Sequence, residues 1–276
     1  KIKTMCRVLK IARAGYYAWL HEPESGRTIE DKRLLQLIRS SYDASYGIYG
    51  YRRITLDLKE LGESCGPNRV LKIMKNNGIA AVRGYKKHKS YGRGRPQIVP
   101  PNHLNREFVV NTPDTSWVTD ITYIYVLREG WTYLASVMDL HNRKIIGYAY
   151  GKNITADLAL NAVKNACLNV TDTKGILLHS DLGSQYTSDL FEKYMNENGL
   201  VHSFSRKGNP YDNACIESFH SVLKKEEIYL HTYQDFEECR KAIFEYIECW
   251  YNRQRIHSAL GYKTPQQVEE EALQSA

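Results

Sequence analysis

The stretch Trp117-Val-Thr-Asp-Ile-Thr-Tyr-Ile-Tyr-Val126 decides the fold of the larger part of this 276-residue chain. Its β-branched and aromatic residues predict a β-strand. Because side chains alternate along a strand, Val118, Asp120 and Ile124 fall on one face, so a carboxylate interrupts an apolar stripe. Burying an unpaired carboxylate is costly, and Asp120 therefore needs a cation or hydrogen-bond donors beside it.

The sequence around this strand alternates between strands and helices. The predicted strands cover 118–126, 131–140, 144–150, 176–179 and 200–205, and the predicted helices cover 155–168, 188–198, 212–228 and 236–251. Three strands in series predict an antiparallel meander, and the later strands, separated by helices, join the same sheet. The sequence therefore predicts an α/β fold, a mixed five-stranded sheet flanked by helices.

The first third of the chain predicts helices only. A short helix, a turn at Gly15 and a second short helix are predicted over residues 4–20. Apolar residues at helical spacing predict three more helices, over 29–41, 51–61 and 67–77. The basic residues on these three helices that we expect to contact DNA are Arg52, Arg53, Arg69 and Lys72. This pattern is typical of an all-α helix-turn-helix-like domain; the alternative is a plain three-helix bundle whose charges are only solvated.

The net charge of +7 is unevenly distributed. Residues 1–105 carry 21 Lys and Arg against 8 Asp and Glu, a net charge of +13, whereas residues 106–276 carry 17 against 23, a net charge of −6. The densest basic stretch is 83–95, and its candidate DNA contacts are Lys86, Lys87, Lys89, Arg93 and Arg95. A basic front half indicates a polyanionic partner. The alternative for this stretch is a solvated, flexible linker.

The overall composition excludes several classes of protein. With 42% hydrophobic and 25% charged residues the chain is globular, and not disordered, collagen-like or a coiled coil. No apolar run reaches the length of about 18 residues that a membrane span needs. The six cysteines form no C-x-x-C pair, so free thiols in a reducing cytosol are expected. The start lacks the long apolar core of a signal peptide, and because it is not Met a processed or truncated product is expected.

Two more acids join Asp120 as candidate catalytic residues. Asp181 ends the fourth predicted strand, and Glu217 lies in a predicted helix, with 35 residues between the two acids. Three carboxylates can hold two divalent ions, and oxygen ligands suit Mg²⁺ or Mn²⁺. Lys224 follows Glu217 by two helical turns, so it is expected to share that face and to hold a DNA phosphate. Taken singly, Asp120 could cap a turn, Asp181 could cap a strand end and Glu217 could be a solvated helix residue.

Other polar residues near these acids are interpreted as structural. We expect Asp139 to be structural and Asp212 to cap the helix of Glu217. His179, His202 and His220 lack metal-ligand spacing, so core or DNA-neighbouring roles are expected for them. A set of residues in the tail fits either DNA contact or docking of the last helix: Tyr251, Asn252, Arg255, His257 and Pro265.

The phrases around the three acids resemble one family. HSDLGSQYTS at 179–188, KGNPYDNACIESFHSVLKKE at 207–226 and YNRQRIHSALGYKTPQQ at 251–267 are similar to the second-frame (OrfB) product of the IS-three family of bacterial insertion sequences. MCRVLKIARAGYYAW, YGYRRI and NRVLKIMKNNGI resemble the N-terminal helical domain of that family. The acids, in order and followed by Lys224, resemble the D, D, E catalytic core that these transposases share with retroviral integrases.

The resemblance implies a fold and an activity. It implies an RNase H-like catalytic fold and a DNA transposase that cleaves the insertion-sequence ends and catalyses strand transfer. Asp120, Asp181 and Glu217 would be both the catalytic and the metal-binding residues, with two Mg²⁺ ions per active site and Mn²⁺ as a substitute. The alternatives are an RNase H-like structure-selective nuclease and a non-catalytic DNA-binding regulator, and the intact acids speak against the second of these.

The resemblance also implies partners and a domain order. The partners are DNA, as terminal inverted repeats and target, further copies of the chain in a homo-oligomer on DNA, and a first-frame (OrfA) protein, free or fused. The place of action is the bacterial cytoplasm, at the nucleoid. The expected divisions are an N-terminal helical segment 1–24, the helix-turn-helix-like domain 25–83, a basic linker 84–107, the catalytic core 108–232 and a C-terminal helical extension 233–276.

Overall fold

The chain folds as two compact units, Lys1–Val82 and Arg83–Ala276. A computed structural model describes residues 1–21, 24–82, 101–206 and 210–275. Within these ranges no helix combines the length and the apolar character that crossing a bilayer requires. Each unit has its own buried core.

The first unit is all-helical. Its helices are α1 (Ile2–Val8), α2 (Arg13–His21), α3 (Gly26–Ala44), α4 (Tyr51–Glu60) and α5 (Pro67–Asn76). The Ser25 hydroxyl caps α3 by accepting the N–H of Thr28, and Pro67 opens α5, where no N–H is needed. The predicted turn at Gly15 is wrong, because α2 runs through it. The chain instead turns between α1 and α2, with Lys10 at a φ of 53°.

The core of the first unit lies between α3, α4 and α5. Each helix buries an apolar stripe at helical spacing, which is what the sequence pattern predicted. The residues of these stripes are Leu34, Ile38, Ile54, Leu58, Val70, Ile73 and Met74. The opposite faces of α4 and α5 remain open to solvent, which leaves room there for basic side chains.

The second unit is built on a mixed five-stranded sheet, which confirms the predicted fold class. The strands are β1 (Ser116–Val126), β2 (Gly130–Asp139), β3 (Ile145–Gly151), β4 (Leu177–Ser180) and β5 (Val201–Phe204). Their order is β3-β2-β1-β4-β5, antiparallel from β1 to β3 and parallel from β1 to β5. This is the topology of the RNase H-like fold. Strand β4 pairs with β1 only at residues 116–118, so the remaining edge of β1 is open to other groups.

Helices surround this sheet. They are α6 (Ala156–Cys167), α7 (Asp189–Glu197), α8 (Ala214–Leu223), α9 (Phe236–Phe244) and α10 (Pro265–Ser275). Two of them, α8 and α9, continue directly into π-helical turns, Lys224–Ile228 and Glu245–Tyr251. Helix α6 packs on β2 and β3 so closely that a Cβ at Gly147 would lie 2.4 Å from the carbonyl oxygen of Ala162. Helix α8 packs on β1 and β2.

Asparagine side chains cover the outer edge of β3. The Asn252 amide donates to the carbonyl oxygen of Ile145 and accepts from its N–H, both at 3.0 Å. Asn169, just after α6, and Asn165, within α6, donate to two more carbonyl oxygens of the same strand, at 2.8 and 2.9 Å. Asn252 is buried, and it ties the C-terminal segment to the sheet. Of the two roles open for this tail residue, the structure assigns docking.

Candidate active site

Asp120 lies in the middle of β1, opposite Ser136 of β2. The side chain of Asp120 is only 24% exposed. The buried ring of His220, on α8, lies against it, with Nδ1 3.3 Å from the Asp120 Oδ2 atom and Nε2 3.3 Å from the Ser136 hydroxyl. A histidine from the helix that carries Glu217 therefore lies beside this carboxylate, at a distance that would make an ion pair with a protonated ring.

Asp181 follows β4 directly, at the end of the strand that runs parallel to β1. Its Oδ1 atom accepts the backbone N–H of Gly183 at 2.9 Å. A Cβ at Gly183 would lie 2.8 Å from that oxygen, so a residue with a side chain would press on the carboxylate. Desolvation and the nearby Asp120 carboxylate both raise the pKa of Asp181, and the Gly183 N–H opposes them.

Glu217 lies in the first turn of α8 and is exposed. Desolvation raises the pKa of this carboxyl group, and the negative charges of Asp120 and Asp181 raise it further. Each acid thus lies within electrostatic reach of the other two, although they come from a strand, a strand end and a helix. Like charges held together in this way favour protonation or the arrival of a cation.

Lys224 ends α8 and begins the π-turn that follows it. Its ammonium lies over the ring of Tyr123, 5.3 Å from the centroid. Desolvation lowers the pKa of Lys224, while the Asp120 carboxylate raises it. The lysine is therefore within electrostatic reach of Asp120, whereas its neighbour Lys225 is exposed.

The chemistry of this donor set fits a divalent metal. Carboxylate oxygens are hard ligands of the kind that Mg²⁺ and Mn²⁺ prefer. Beyond the effect of desolvation, the charge of Asp120 raises the pKa of Asp181, and the charges of Asp120 and Asp181 raise the pKa of Glu217, a repulsion that a divalent cation would remove. In the part of the chain that the structure describes, no three His, Cys, Asp or Glu side chains already form a complete ligand set.

Two acids near the cluster have other roles. Asp139 is buried at the end of β2, where it accepts the N–H of His141 at 3.1 Å. Asp212 is also buried, but it is not the predicted helix cap. Its carboxylate instead accepts from Arg106 at 2.7 Å and from the backbone N–H of Arg206 at 2.9 Å. The Arg106 hydrogen bond lowers the Asp212 pKa against the opposing effect of burial, so this acid holds two chain segments together.

The histidines divide into buried structural residues and one neighbour of the acids. His179 bonds the hydroxyls of Ser203 and Ser205, at 2.8 and 3.0 Å, and burial lowers its pKa to about 4. His220 was expected only in the core or near DNA, and its contact with Asp120 was missed. The signal available in the sequence was its position three residues after Glu217, which puts both on adjacent parts of one helix face.

Comparison with known families and proteins agrees with this geometry. The family described as HTH-like domain matches residues 29–87, and two described as Integrase core domain match residues 110–210 and 198–265. The transposase InsF for insertion sequence IS3A of Escherichia coli (strain K12) is 35% identical over 274 residues, 99% of this chain and 95% of the relative. The chain belongs to the IS3 family of insertion-sequence transposases.

Further relatives of this transposase come from other sources. The transposase for insertion sequence element IS904 of Lactococcus lactis is 36% identical over 250 residues, which are 91% of this chain and 98% of the relative. Among solved structures, the simian T-cell lymphotropic virus intasome in complex with a PP2A regulatory subunit aligns with a TM-score of 0.49 and 15% identity. That alignment covers 84% of this chain and 73% of the other.

The predicted DNA contacts of the transposase's first unit differ in their surroundings. Arg52 is exposed beside the Tyr51 hydroxyl, 3.1 Å away, and Arg53 lies over the ring of Tyr49. Lys72 is exposed on α5. Arg69 instead pairs with Asp31, and its Nε lies 2.7 Å from a carboxylate oxygen. The other predicted contacts, Lys86, Lys87, Lys89, Arg93 and Arg95, lie outside the described residues.

Proposed function

We propose that this transposase cleaves the ends of its insertion sequence and joins them to target DNA by divalent-metal-dependent phosphoryl transfer. Asp120, Asp181 and Glu217 would be the catalytic carboxylates. The observation that carries the proposal is their mutual electrostatic effect: the charge of Asp120 raises the pKa of both other acids. A protein keeps such a repulsive cluster at a cost, which a bound cation would offset.

The same three residues would hold the metal, as two Mg²⁺ ions or Mn²⁺ in their place. When bound, two ions would stabilise the attacking and leaving oxygens of an in-line phosphoryl transfer. The protein's own contribution is to hold the ligands. Asp120 is fixed by the β1–β2 ladder and by the ring of His220, and Asp181 is oriented by the N–H of Gly183.

Lys224 would bind a DNA phosphate beside the reacting bond. It is cationic and so cannot be a metal ligand, and its ammonium lies over the ring of Tyr123 and within electrostatic reach of Asp120. A phosphate there would be held by a charge-assisted hydrogen bond, which positions the strand and leaves the metal ligands untouched. Loss of this lysine should therefore slow the reaction without removing metal.

We further propose DNA as the partner of both units. In the first unit, α4 and α5 would contact the terminal repeats through Arg52, Arg53 and Lys72, with Arg69 released from Asp31 to join them. The basic stretch 83–95 would follow the phosphate backbone, and the catalytic unit would engage the cleavage site and target DNA. Several copies would assemble on the element ends, with a first-frame protein as partner or fusion, in the bacterial cytoplasm at the nucleoid.

We also propose how the functions are divided along the chain. The helical segment 1–24 and the helix-turn-helix-like domain 25–83 would bind DNA, and the linker 84–107 would join them to the catalytic core 108–232. The extension 233–276 would support that core through contacts such as the one between Asn252 and β3.

The test uses labelled duplexes of the element's own ends with the full-length protein and Mg²⁺. We expect the wild-type protein to give joined products. The Asp120→Asn variant should give none, although it should still bind the DNA. Asp139→Asn is the matched control, because it makes the same change on the neighbouring strand without touching the cluster. Cut but unjoined DNA would indicate a nuclease, bound but unchanged DNA would indicate a regulator, and Mg²⁺-dependent joining by Asp120→Asn would contradict the assignment of that residue.

A further inference from the structure

The π-turn after α8 determines the position of Lys224. The carbonyl oxygen of Lys224 accepts the N–H of Tyr229, five residues further on, at 2.8 Å. Such turns are rare, because their geometry is poorer than that of an α-helix, and they are frequent at functional sites. Something outside the helix must therefore favour this turn over a continued α-helix.

A buried ion pair anchors the turn to the C-terminal segment. Glu226, in the middle of the turn, receives two bonds from Arg255, from Nε at 2.8 Å and from Nη2 at 2.9 Å. The hydroxyl of Tyr246 donates a third, at 2.9 Å. Both charged side chains are less than a tenth exposed. Arg255, one of the tail residues with two expected roles, is thus used for docking and is turned away from solvent.

Stability alone is a weak reason for this pair. A buried ion pair can often be replaced by apolar residues of similar volume without loss of stability, because two charges must be desolvated to form it. Apolar residues cannot reproduce the directional contact between the two side chains. The planar guanidinium holds both carboxylate oxygens of Glu226 at once, which fixes the orientation of the turn as well as its distance from the C-terminal segment.

We infer that Arg255, acting through Glu226, is a positioning residue for Lys224. The bidentate pair holds the π-turn, and the π-turn places the Lys224 ammonium over Tyr123 and near Asp120. This inference rests on the proposed role of Lys224 in holding a DNA phosphate. It gives the C-terminal segment a role in strand transfer, in which Arg255 acts through Glu226 and not by contact with the acids.

The test is a mutant cycle on strand-transfer rate. The four proteins are the wild type, Lys224→Ala, the apolar replacement Glu226→Leu with Arg255→Met, and all three changes together. Lys224→Ala should slow joining by about ten- to a hundred-fold, the effect of one charge-assisted hydrogen bond. The apolar replacement should cause most of the same loss. The triple variant should join DNA no more slowly than Lys224→Ala, because removing a lysine that is already misplaced causes no further loss of rate.

The cycle separates positioning from a general effect on folding. Lys144→Met with Glu269→Leu removes another ion pair of the same unit, 2.5 Å long, and in that background Lys224→Ala should keep its full effect. Arg255→Lys provides a second route if the apolar replacement fails to fold, because it keeps the charge and loses the bidentate contact. The dissociation constant for end DNA without divalent metal should follow the same pattern, independently of catalysis.

Two outcomes would overturn the inference, and they differ. If the losses multiply in the triple variant, Arg255 acts on stability alone, and the proposed role of Lys224 stands. If Lys224→Ala joins DNA at the wild-type rate, the role of Lys224 and the inference that rests on it both fall.

Discussion

Replacing Asp139 by asparagine should stabilise the protein at neutral pH. Asp139 is buried at the end of β2, where it is 1% exposed. Within the described part of the chain, no cationic side chain forms an ion pair with it. Burial raises its pKa from 3.8 to about 6, and the nearby Asp114 carboxylate adds to this effect. The protein therefore keeps a charge at pH 7.5 that its surroundings disfavour. Asparagine has nearly the same shape and no charge.

The size of the effect follows from that pKa. A difference of about two pH units between folded and unfolded chains corresponds to about 3 kcal/mol, which the folded state loses as the pH rises through 6. Asparagine offers one acceptor oxygen where aspartate has two, so one of the bonds from the N–H groups of His141 and Asp114 weakens, at about 1 kcal/mol. The net gain at pH 7.5 should be about 1–2 kcal/mol. At pH 4, where Asp139 is protonated in the folded chain and about half protonated in the unfolded chain, no gain should remain.

The assay is urea unfolding of the full chain between pH 4 and pH 8, for the wild type and Asp139→Asn. Exposed Asp172 supplies the matched control, and Asp172→Asn should stay within about 0.5 kcal/mol of the wild type at every pH. A difference that does not change with pH, or a destabilised variant at pH 7.5, would refute the reasoning. Strand transfer should survive in Asp139→Asn, and its loss would make Asp139 part of the catalytic set.

Three further predictions concern DNA and catalysis. Asp120→Asn should abolish cleavage and joining while end DNA still binds in a gel-shift assay, because the substitution would remove a proposed metal ligand and not a proposed DNA contact. A fragment of residues 1–95 should bind any DNA duplex at low salt, and its affinity should fall steeply as the salt concentration rises, because contacts with phosphates release counterions. If fluorescence anisotropy shows no binding at low salt, the plain-bundle interpretation would be restored. Lys225→Ala should slow joining less than Lys224→Ala in the same rate assay, because Lys225 is exposed; the opposite order would mean that the assignment of Lys224 is wrong.

Much of the fold follows from local sequence patterns. The strand around Asp120 was predicted because β-branched and aromatic residues are concentrated there, and it is two residues longer than expected, beginning at Ser116. The helix predicted over 155–168 corresponds to α6, which Thr155 caps because its hydroxyl accepts the N–H of Leu158 three residues on. Signals of this kind are short-range, so a single sequence contains them.

What the sequence did not predict depends on distant partners. The π-turn at Lys224 is held by Arg255, and Asp212 is held by Arg106. No spacing rule connects residues so far apart along the chain. The contact of His220 with Asp120 depends on how α8 crosses the sheet, which is a matter of packing rather than periodicity. The candidate acids could be named from the sequence, but the side chains that support them could not.

The asparagines along β3 have a consequence for assembly. An uncovered outer strand is a template on which another chain can add, and this leads to fibres or exchanged strands as readily as to useful oligomers. Here the side-chain amides of Asn165, Asn169 and Asn252 already occupy backbone positions on that strand. At the opposite border of the sheet, the N–H of Phe204 is taken by the carbonyl oxygen of Pro101. If copies assemble on DNA as proposed, we therefore expect them to meet through side-chain surfaces and not by pairing of sheet edges.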